Sequence, residues 1–414
     1  MLIAGAGIAG LTAALALAER GFEVTVLERR AEPADTGTGI SLFANGTRLL
    51  EGLGLGPALA RFGHDLGDVE WRTGRRGLRI AVSAAHGREG PHIGPPSLNL
   101  LRRDLHGALL EAALAHPGVR LLAGRTVSAI EEDAAGVTVV TAEGERHRGS
   151  VAVGADGIHS RVRTLLLGED AGPRHAGEIA WRAMVRSDSL PPKERLRHRF
   201  VFWLGADRHV LAYPMGGPDA PWINVAAFVK VPAPPEVSWT LEGDPDAMRA
   251  AFDGWEPRLR RLLAGVDRCF LLSLHQHPPP KVWSRGRVAL LGDACHAMLP
   301  HAGQGAGMGI EDAVVLAGAL ARQRDDPVAA FAAYGARRGP RVARVMGTVQ
   351  ALGAQYRIPN PIRRTAFHVT LRLLTWAKPD AIRRRNAWLY GHDAASSEAA
   401  TSASAATVLG SGAA

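Results

Sequence analysis

Cysteine is scarce in this 414-residue chain, which contains only Cys269 and Cys295. Two thiols so far apart match neither a disulfide framework nor a zinc site. No run of apolar residues is long enough to predict a transmembrane helix. The apolar opening is interrupted by glycines and lacks a basic leader, so we expect no signal peptide. Internal repeats are also missing. These features fit a reducing compartment, and we expect a cytoplasmic protein.

Acidic residues are outnumbered by basic ones, which gives a formal net charge of +9. Such a balance can indicate nucleic-acid binding. The arginines are scattered, however, and no basic stripe alternates with aromatic residues, which make up only 6% of the chain. We therefore expect no nucleic-acid partner. A positive field that attracts small anionic molecules is the more useful interpretation.

The order of predicted elements indicates an α/β protein with a discontinuous Rossmann-type nucleotide-binding domain and an inserted, mostly antiparallel β-sheet. Buried strands that suit a parallel sheet are predicted at 2–5, 22–28, 150–154 and 287–291. Alternating apolar and polar residues predict antiparallel strands at 179–185, 199–204, 209–213 and 222–229.

These patterns suggest where the domains begin and end. We assign 1–72, 98–178 and 270–345 to the nucleotide-binding domain, 73–97 and 179–269 to a substrate domain, 346–393 to C-terminal helices and 394–414 to a disordered tail. The tail is almost entirely Ala, Ser, Gly and Thr, which lack the apolar bulk needed for a core.

A glycine motif, Gly5-Ala6-Gly7-Ile8-Ala9-Gly10, follows the first predicted strand and opens a predicted helix. Gly5 permits a tight turn, Gly7 lets the backbone approach a pyrophosphate, and Gly10 allows the helix to pack closely on the strand. Phosphates are favoured at the helix N-terminus by its free N–H groups and dipole. Glu28 stands where an acid commonly binds ribose hydroxyls. The motif predicts a dinucleotide site, without saying which dinucleotide, comprising Gly5, Gly7, Ile8, Ala9, Gly10, Glu28 and Arg29.

Two further motifs follow predicted strands, Gly154-Ala155-Asp156-Gly157 and Gly292-Asp293-Ala294. Either alone is an ordinary turn. In this order, behind the N-terminal motif, the set resembles the group A FAD-dependent aromatic hydroxylases. That family includes salicylate hydroxylase, 3-hydroxybenzoate 6-hydroxylase and 6-hydroxynicotinate 3-monooxygenase. The resemblance covers roughly residues 1–393 and implies that the Rossmann-type domain binds FAD.

The resemblance also implies a set of cofactors and residue roles. FAD would be tightly bound, NADH or NADPH would bind transiently, dioxygen would be consumed, and no metal is expected. Arg102 matches an arginine that contacts the FAD pyrophosphate, and Val127 matches a position near the adenine. Asp156 belongs to a motif linked to both FAD and the nicotinamide, and Asp293 matches a residue that contacts FAD.

A glycine-rich loop at 303–309 matches the loop around the pyrimidine side of the flavin, with Gly305, Ala306, Gly307 and Met308. A loop of this kind presents N–H donors and a helix dipole that would stabilise negative charge on reduced flavin. We expect the adjacent Glu311 and Asp312 to cap the helix or to compensate its dipole.

His209 and Tyr213 lie at i and i+4 of a predicted strand, so both should point to the same face. A histidine with a near-neutral pKa can accept a phenol proton, directly or through the tyrosine hydroxyl. The resemblance implies that this pair serves hydroxylation through a flavin C4a-hydroperoxide, with Pro300, His301 and Gln304 shaping the oxygen site. An edge histidine and a core tyrosine without catalytic roles remain the alternative.

The sequence therefore predicts an FAD-dependent, NAD(P)H-consuming monooxygenase that hydroxylates a small phenolic or hydroxy-heteroaromatic substrate. Missing a second Rossmann fingerprint and a redox cysteine pair, it does not match an FAD disulfide reductase. Three alternatives stay open: a same-fold reductase or dehydrogenase, an epoxidising or tailoring oxygenase acting on a polyketide or isoprenoid, and a flavin-binding sensory protein. No arginine is assigned as the anchor of a substrate carboxylate, and Arg182 could equally be a surface residue. A homodimer and a monomer are both compatible with the sequence.

Overall fold

A six-stranded sheet joins the start, the middle and the final third of the chain. The structure, a computed structural model, describes residues 1–33, 38–83, 94–168, 171–232 and 241–396. With strands numbered in chain order, the sheet runs β19 (Ser284–Arg285), β20 (Val288–Leu290), β12 (Ala152–Gly154), β1 (Leu2–Ala4), β2 (Val24–Glu28) and β8 (Val119–Ala123). All neighbours are parallel except β19 and β20.

Helix α1 (Ile8–Ala18) is buried almost throughout, against the sheet and two other helices, α4 (Arg102–Ala115) and α9 (Gly305–Arg322). Its contact with α9 is so close that only small residues fit there. A Cβ atom added at Gly309 of α9 would lie 2.9 Å from the Cβ of Ala9. The apolar, alanine-rich sequence of α1 therefore follows from its burial on several sides.

An eight-stranded sheet forms the second layer. Its order is β17 (Glu242–Gly243), β18 (Cys269–Gln276), β13 (Arg174–Arg186), β16 (Trp222–Lys230), β15 (Arg208–Met215), β14 (Arg199–Leu204), β5 (Asp68–Thr73) and β6 (Arg79–Ser83). Neighbours are antiparallel, apart from the parallel pair β14 and β5. One face packs a separate core with α6 (Pro245–Ala251) and α7 (Pro257–Ala264). The other face is rich in aromatic residues and turns towards the six-stranded sheet.

Sheet pairing joins segments of the large sheet that are distant in sequence. Strand β5 pairs with β14, so residues 68–72 belong to the large sheet. Strand β18 pairs with β13, which places residues 270–276 in the same sheet, and β13 already begins at Arg174. Local alternation predicts a strand but not its partner, and these partners are distant in sequence. Part of the predicted 73–97 segment lies outside the described residues.

Smaller elements complete the two layers. Strands β3 (Gly39–Leu42), β7 (Leu98–Leu101) and β4 (His64–Asp65) form one small sheet, and β11 (Arg146–Gly149), β10 (Gly136–Thr141) and β9 (Val127–Asp133) form another. Short helices are α2 (Ala44–Gly52), α3 (Gly56–Phe62), α5 (Arg161–Leu167) and α8 (Asp293–His296). The elements between 39 and 83 had no counterpart in the sequence prediction.

The predicted C-terminal helices are confirmed. They are α10 (Pro327–Tyr356), α11 (Pro361–Ala377) and α12 (Ala381–Tyr390). Within the described ranges, no helix combines the length and apolar character required to cross a membrane. Ala394, from the segment predicted as a tail, is buried, and its carbonyl oxygen accepts a hydrogen bond from Arg337 at 2.7 Å. The remainder of that predicted tail, 397–414, lies outside the described residues.

Candidate active site

A cavity of about 970 Å³ lies between the carboxyl ends of the six-stranded sheet and the aromatic face of the eight-stranded sheet. Ten residues proposed from the sequence line it: Gly7, Ile8, Ala9, Arg102, Tyr213, Asp293, Pro300, His301, Gly305 and Ala306. The other ten are not among its lining residues: Gly5, Gly10, Glu28, Arg29, Val127, Asp156, His209, Gln304, Gly307 and Met308. The structure thus brings the glycine motif, the Gly292-Asp293 turn and the 300–306 loop to one cavity.

The three motif glycines have distinct geometric reasons to be glycine. Gly5 has φ +102°, and an added Cβ would lie 2.5 Å from the carbonyl oxygen of Ala155. At Gly10 the added Cβ would lie 2.0 Å from the carbonyl oxygen of Gly5. At Gly7 it would meet nothing within 4 Å, because this residue faces the cavity at the N-terminus of α1. Gly5 and Gly10 serve packing, whereas Gly7 leaves room for a ligand.

The polar residues predicted around the cofactor are placed in different ways. Glu28 at the end of β2 accepts hydrogen bonds from the backbone N–H groups of Ala6 (2.8 Å) and Arg30 (2.9 Å). Its carboxylate is thereby held against the glycine motif. Arg102 begins α4 and lines the cavity, while Val127 begins β9 and is buried outside the lining.

The two predicted aspartates differ. Asp156 accepts hydrogen bonds from the Ser160 hydroxyl and from the N–H groups of Arg161 (2.8 Å) and Val162 (3.1 Å). Burial raises the pKa of Asp156, although these hydrogen bonds oppose the effect. Its carboxylate is therefore engaged in its own turn at the start of α5. Asp293 is exposed and lines the cavity at the carboxyl end of β20.

The loop predicted to surround the flavin opens α9 towards the cavity. A Cβ added at Gly305 would meet nothing within 4 Å, so the first turn of α9 leaves open space beside its backbone. Gln304 is fully buried behind this turn. Its Oε1 accepts a hydrogen bond from Nδ2 of Asn45 at 3.0 Å, and its own Nε2 has no partner among the described residues.

The expectation that Glu311 and Asp312 act as caps or compensate the helix dipole is wrong. Both are 0% exposed and belong to a buried ion network between α9 and α10. Nε of Arg338 donates to Asp312 at 2.6 Å, and Nη1 of Arg338 donates to Glu311 at 2.5 Å. Asp312 also accepts from the N–H of Gly292 at 2.9 Å, which ties the network to the cavity. Both lie in the second turn of α9, which places them beside α10. No local sequence pattern connects them to the arginines of that helix.

The predicted pair His209 and Tyr213 lies on one face of β15, yet the two side chains have different surroundings. Tyr213 lines the cavity and stacks on Phe200, with ring centroids 4.6 Å apart. His209 is fully buried, stacked on Phe228 at 4.5 Å, and neither of its ring nitrogens has a hydrogen-bond partner in the described part of the chain. Burial, His301 and Arg357 hold the pKa of His209 well below 6.5, so its imidazole is neutral at pH 7.

A buried charged cluster beside His209 was missed by sequence reasoning. The ring of His301 lies 5.5 Å from that of His209, and its Nε2 lies 3.4 Å from Oε2 of Glu178. Glu178 forms an ion pair with Arg357, which follows α10. Glu178 and Arg357 are 179 residues apart. No spacing signal could have connected them, because only the docking of α10 on β13 brings them together.

Arg182 is not a surface residue. It lies on β13 and lines the cavity, with Nη2 donating to the carbonyl oxygen of Gly39 at 2.9 Å. Burial lowers the pKa of Arg182, while the neighbouring Tyr213 opposes this effect. A guanidinium therefore faces a cavity that this sheet lines mainly with aromatic and aliphatic residues.

The residues at this cavity fit FAD. Two helix N-termini, those of α1 and α9, open onto it, and each carries a glycine beside open space, Gly7 and Gly305. Helix N-termini favour phosphates and other anions. No group of His, Cys, Asp and Glu suited to a metal occurs in the described ranges. The fold and site thus define a dinucleotide-binding protein whose cofactor site opens directly onto the aromatic face of the large sheet.

Comparison with known proteins makes the class specific. The family model described as FAD binding domain matches residues 1–349. A 3-amino-4-hydroxybenzoate 2-monooxygenase of Streptomyces platensis is 36% identical over 395 residues, covering 95% of this chain and 96% of the relative. A 3-hydroxybenzoate 6-hydroxylase of Klebsiella oxytoca is 31% identical, with 94% and 96% covered.

Solved structures agree. Klebsiella pneumoniae HpxO complexed with FAD and uric acid has a TM-score of 0.77 at 29% identity, covering 90% of this chain and 92% of that one. A salicylate hydroxylase substrate complex has a TM-score of 0.79 at 26% identity, with 96% of each chain covered. The chain belongs to the family of FAD-dependent aromatic hydroxylases, and it is an FAD-dependent monooxygenase.

Proposed function

We propose that this chain hydroxylates a small phenolic or hydroxy-heteroaromatic ring and consumes NADH or NADPH together with dioxygen. The observation that carries the proposal is the single cavity that runs from the FAD motifs to the aromatic face of the large sheet. Relatives named for 3-amino-4-hydroxybenzoate, 3-hydroxybenzoate and 6-hydroxynicotinate support this class of ring. When bound, FAD supplies the transfer of electrons from the nicotinamide and the activation of dioxygen.

The substrate ring would bind on the aromatic face of the large sheet. Phe200, Phe202, Leu211 and Phe228 present apolar side chains to the cavity and stay largely out of water. Aromatic side chains favour offset or edge-to-face contacts with a bound ring. An apolar lining of this kind also excludes water from the reaction, which favours oxygen transfer to the ring over unproductive decay.

The proton of the substrate hydroxyl would leave towards the end of the cavity formed by His301. His209 lies directly behind it with a neutral imidazole and would relay this proton, against the burial and the neighbouring His301 and Arg357 that disfavour its charged form. The Glu178 carboxylate beside His301 would stabilise positive charge on the His301 ring. Tyr213, farther along the same strand face, would hold a second polar substituent of the substrate. Pro300, which lines the cavity, and Gln304, which is buried behind the first turn of α9, would shape the oxygen site.

Two substitutions test this assignment. His209→Ala and His301→Ala should each lower the rate of substrate hydroxylation at least about 100-fold, the lower end of the range for loss of acid–base catalysis. FAD content per chain should stay unchanged, because neither side chain belongs to the cofactor motifs. Normal hydroxylation in both variants would contradict the assignment.

The function itself is tested by screening hydroxylated aromatic acids for acceleration of NAD(P)H oxidation, with oxygen uptake and product identification. A hydroxylase yields a product that contains one added oxygen atom. A same-fold reductase or dehydrogenase would consume no oxygen, and a tailoring oxygenase would respond to a polyketide or isoprenoid and ignore these acids. A purified protein that is colourless and refuses added FAD would refute all of these functions.

Two further parts of the proposal concern the state of the protein. Cys269 and Cys295 are both buried and unpaired, which supports a cytoplasmic location. Helix α11 exposes apolar residues at 362, 366, 369, 373 and 376, a spacing with which helices pair. We therefore propose a homodimer, and light scattering of the FAD-loaded protein would show twice the chain mass. A monomeric mass at micromolar concentration would contradict it.

A further inference from the structure

Arg182 is a cation enclosed in the cavity wall, and its hydrogen-bond partners are all neutral. Its Nη2 donates to the carbonyl oxygen of Gly39 at 2.9 Å and to Oδ1 of Asn224 at 3.4 Å. Its Nε is buried without a hydrogen-bond partner, and Nδ2 of Asn224 is in the same situation. In the part of the chain that the structure describes, no carboxylate pairs with this guanidinium. Burying a charge without an opposite charge is costly.

The position of Arg182 on the sheet indicates which part of a bound ligand its charge could contact. Arg182 pairs across strands with Ala226, Ala226 with Leu211, and Leu211 with Phe202, so these four side chains form one row on the same face. Three of the four members, Arg182, Leu211 and Phe202, line the cavity. Leu211 is two strands from Arg182, or about 10 Å at the usual strand spacing. A single aromatic ring that packs on Leu211 would direct one charged substituent towards Arg182 across this distance.

The two ends of this face differ in charge. At the other end, the Glu178 carboxylate is neutralised by Arg357, and both lie behind His301. Glu178 and Arg182 are both on β13, four residues apart and therefore on the same face. At the Arg182 end of this face the positive charge therefore has no opposite charge beside it. At the His301 end the charges of Glu178 and Arg357 neutralise each other.

We propose that Arg182 is the anchor for the carboxylate of an aromatic acid, with the ring on Leu211 and Phe202 and the ring hydroxyl towards His301. Guanidinium binds carboxylate through charge-assisted hydrogen bonds, and a bound carboxylate would supply the opposite charge that Arg182 lacks. The Tyr213 hydroxyl lies beside the guanidinium and is the natural second donor. This inference rests on the proposed function for the direction of the ring, although not for the binding of the anion.

The experiment measures binding to the FAD-loaded protein by calorimetry without NAD(P)H. The probes are benzoate with benzamide, and 3-amino-4-hydroxybenzoate with 2-aminophenol, so each pair differs at the carboxylate. In Arg182→Gln the Kd of each acid should rise about 10- to 100-fold, the usual loss when a hydrogen bond to a charged group is removed. The Kd of benzamide and of 2-aminophenol should change less than about threefold, and Arg182→Lys should retain part of the preference for acids.

Arg186→Gln is the matched control, because Arg186 lies on the same strand, is exposed, and pairs with Asp188. It should leave all four Kd values unchanged. Equal weakening of acids and neutral rings in Arg182→Gln would overturn the proposal, since it would indicate a structural role. Loss of FAD with an unchanged preference for acids would overturn it in favour of a role towards the cofactor.

Benzoate keeps this result separate from the proposed function. It carries no phenol, so its binding does not depend on hydroxylation. Preference of the unaltered protein for benzoate over benzamide, lost in Arg182→Gln, supports the anchor even when no ring is hydroxylated. If the unaltered protein shows no such preference, the inference fails, whatever the enzyme hydroxylates.

Discussion

Replacing Arg338 by methionine should be one of the most destabilising single changes in this protein. Arg338 is 1% exposed and is shared by two carboxylates that are 0% exposed, those of Glu311 and Asp312. Glu311 would keep Arg341, which donates to it at 2.6 and 2.7 Å. Among the described residues, Asp312 would keep the N–H of Gly292 and the ring of His296. The variant therefore leaves a buried carboxylate without a permanent cation.

The magnitude follows from this loss. Removing one partner of a buried ion pair costs about 3–5 kcal/mol. Burial on its own raises the pKa of Asp312, but His296, Arg338 and the N–H of Gly292 outweigh it and lower this pKa to about 2. Without Arg338 the pKa of Asp312 should rise, so protonation would relieve the variant at lower pH. We expect the loss to be at least about 1 kcal/mol smaller at pH 5.5 than at pH 8, since one pKa unit corresponds to about 1.4 kcal/mol.

Urea unfolding of the FAD-loaded protein, followed by circular dichroism at both pH values, measures the free energy of unfolding. Adding Asp312→Asn to Arg338→Met removes the uncompensated charge and should restore part of the stability. Arg344→Met is the control on the same helix. Arg344 is exposed over the ring of Trp388, so its loss should cost less than about 1 kcal/mol. A loss below about 1 kcal/mol for Arg338→Met at pH 8, or no recovery in the double variant, would refute the charge argument.

Three further predictions follow from the cavity and its walls. Gly7→Val should fold normally but lose at least about 90% of its bound FAD, because the valine side chain enters the phosphate position. Gly10→Val should instead cost about 1–3 kcal/mol of stability or more, because an added Cβ would lie 2.0 Å from a backbone oxygen. The FAD retained after dialysis and the thermal unfolding of the dialysed protein distinguish the two variants. Burial, then Arg163, lowers the pKa of His277 to about 4, so between pH 6.5 and 4 the unfolded chain binds a proton at this residue that the folded chain does not. The free energy of unfolding should therefore fall as the pH is lowered from 6.5 to 4, and His277→Gln should reduce this fall by up to about 3 kcal/mol. An unaltered slope in the variant would exclude His277 as the source of the fall. Tyr213→Phe should keep the ring stacking and change the free energy of unfolding by less than about 1 kcal/mol, yet it should hydroxylate the substrate at least about tenfold more slowly. An unchanged rate would show that the Tyr213 hydroxyl has no role in the reaction.

Local physics made part of this protein predictable. The glycine motif was recognisable because a tight turn, a phosphate approach and close packing each demand glycine at a fixed offset. Tyr213 and His209 could be placed on one face because side chains alternate along a strand. The opening of α9 at Gly305 was recognisable for a similar local reason, since a glycine-rich turn before a helix exposes its N–H groups.

Tertiary structure decided the features that depend on partners distant in sequence. Alternation along β15 could not show that Tyr213 reaches the cavity while His209 is covered by Phe228 and His301. Likewise, the charges of Glu311 and Asp312 acquired their meaning only when α10 brought Arg338 between them.

Arg182 shows the division most clearly. The sequence by itself determined that this chain builds a dinucleotide site and an antiparallel sheet, because turns, helix starts and strand alternation are local. Whether an arginine on that sheet faces water or a substrate depends on which layer packs against it, and that was decided only by the docking of the two sheets around one cavity.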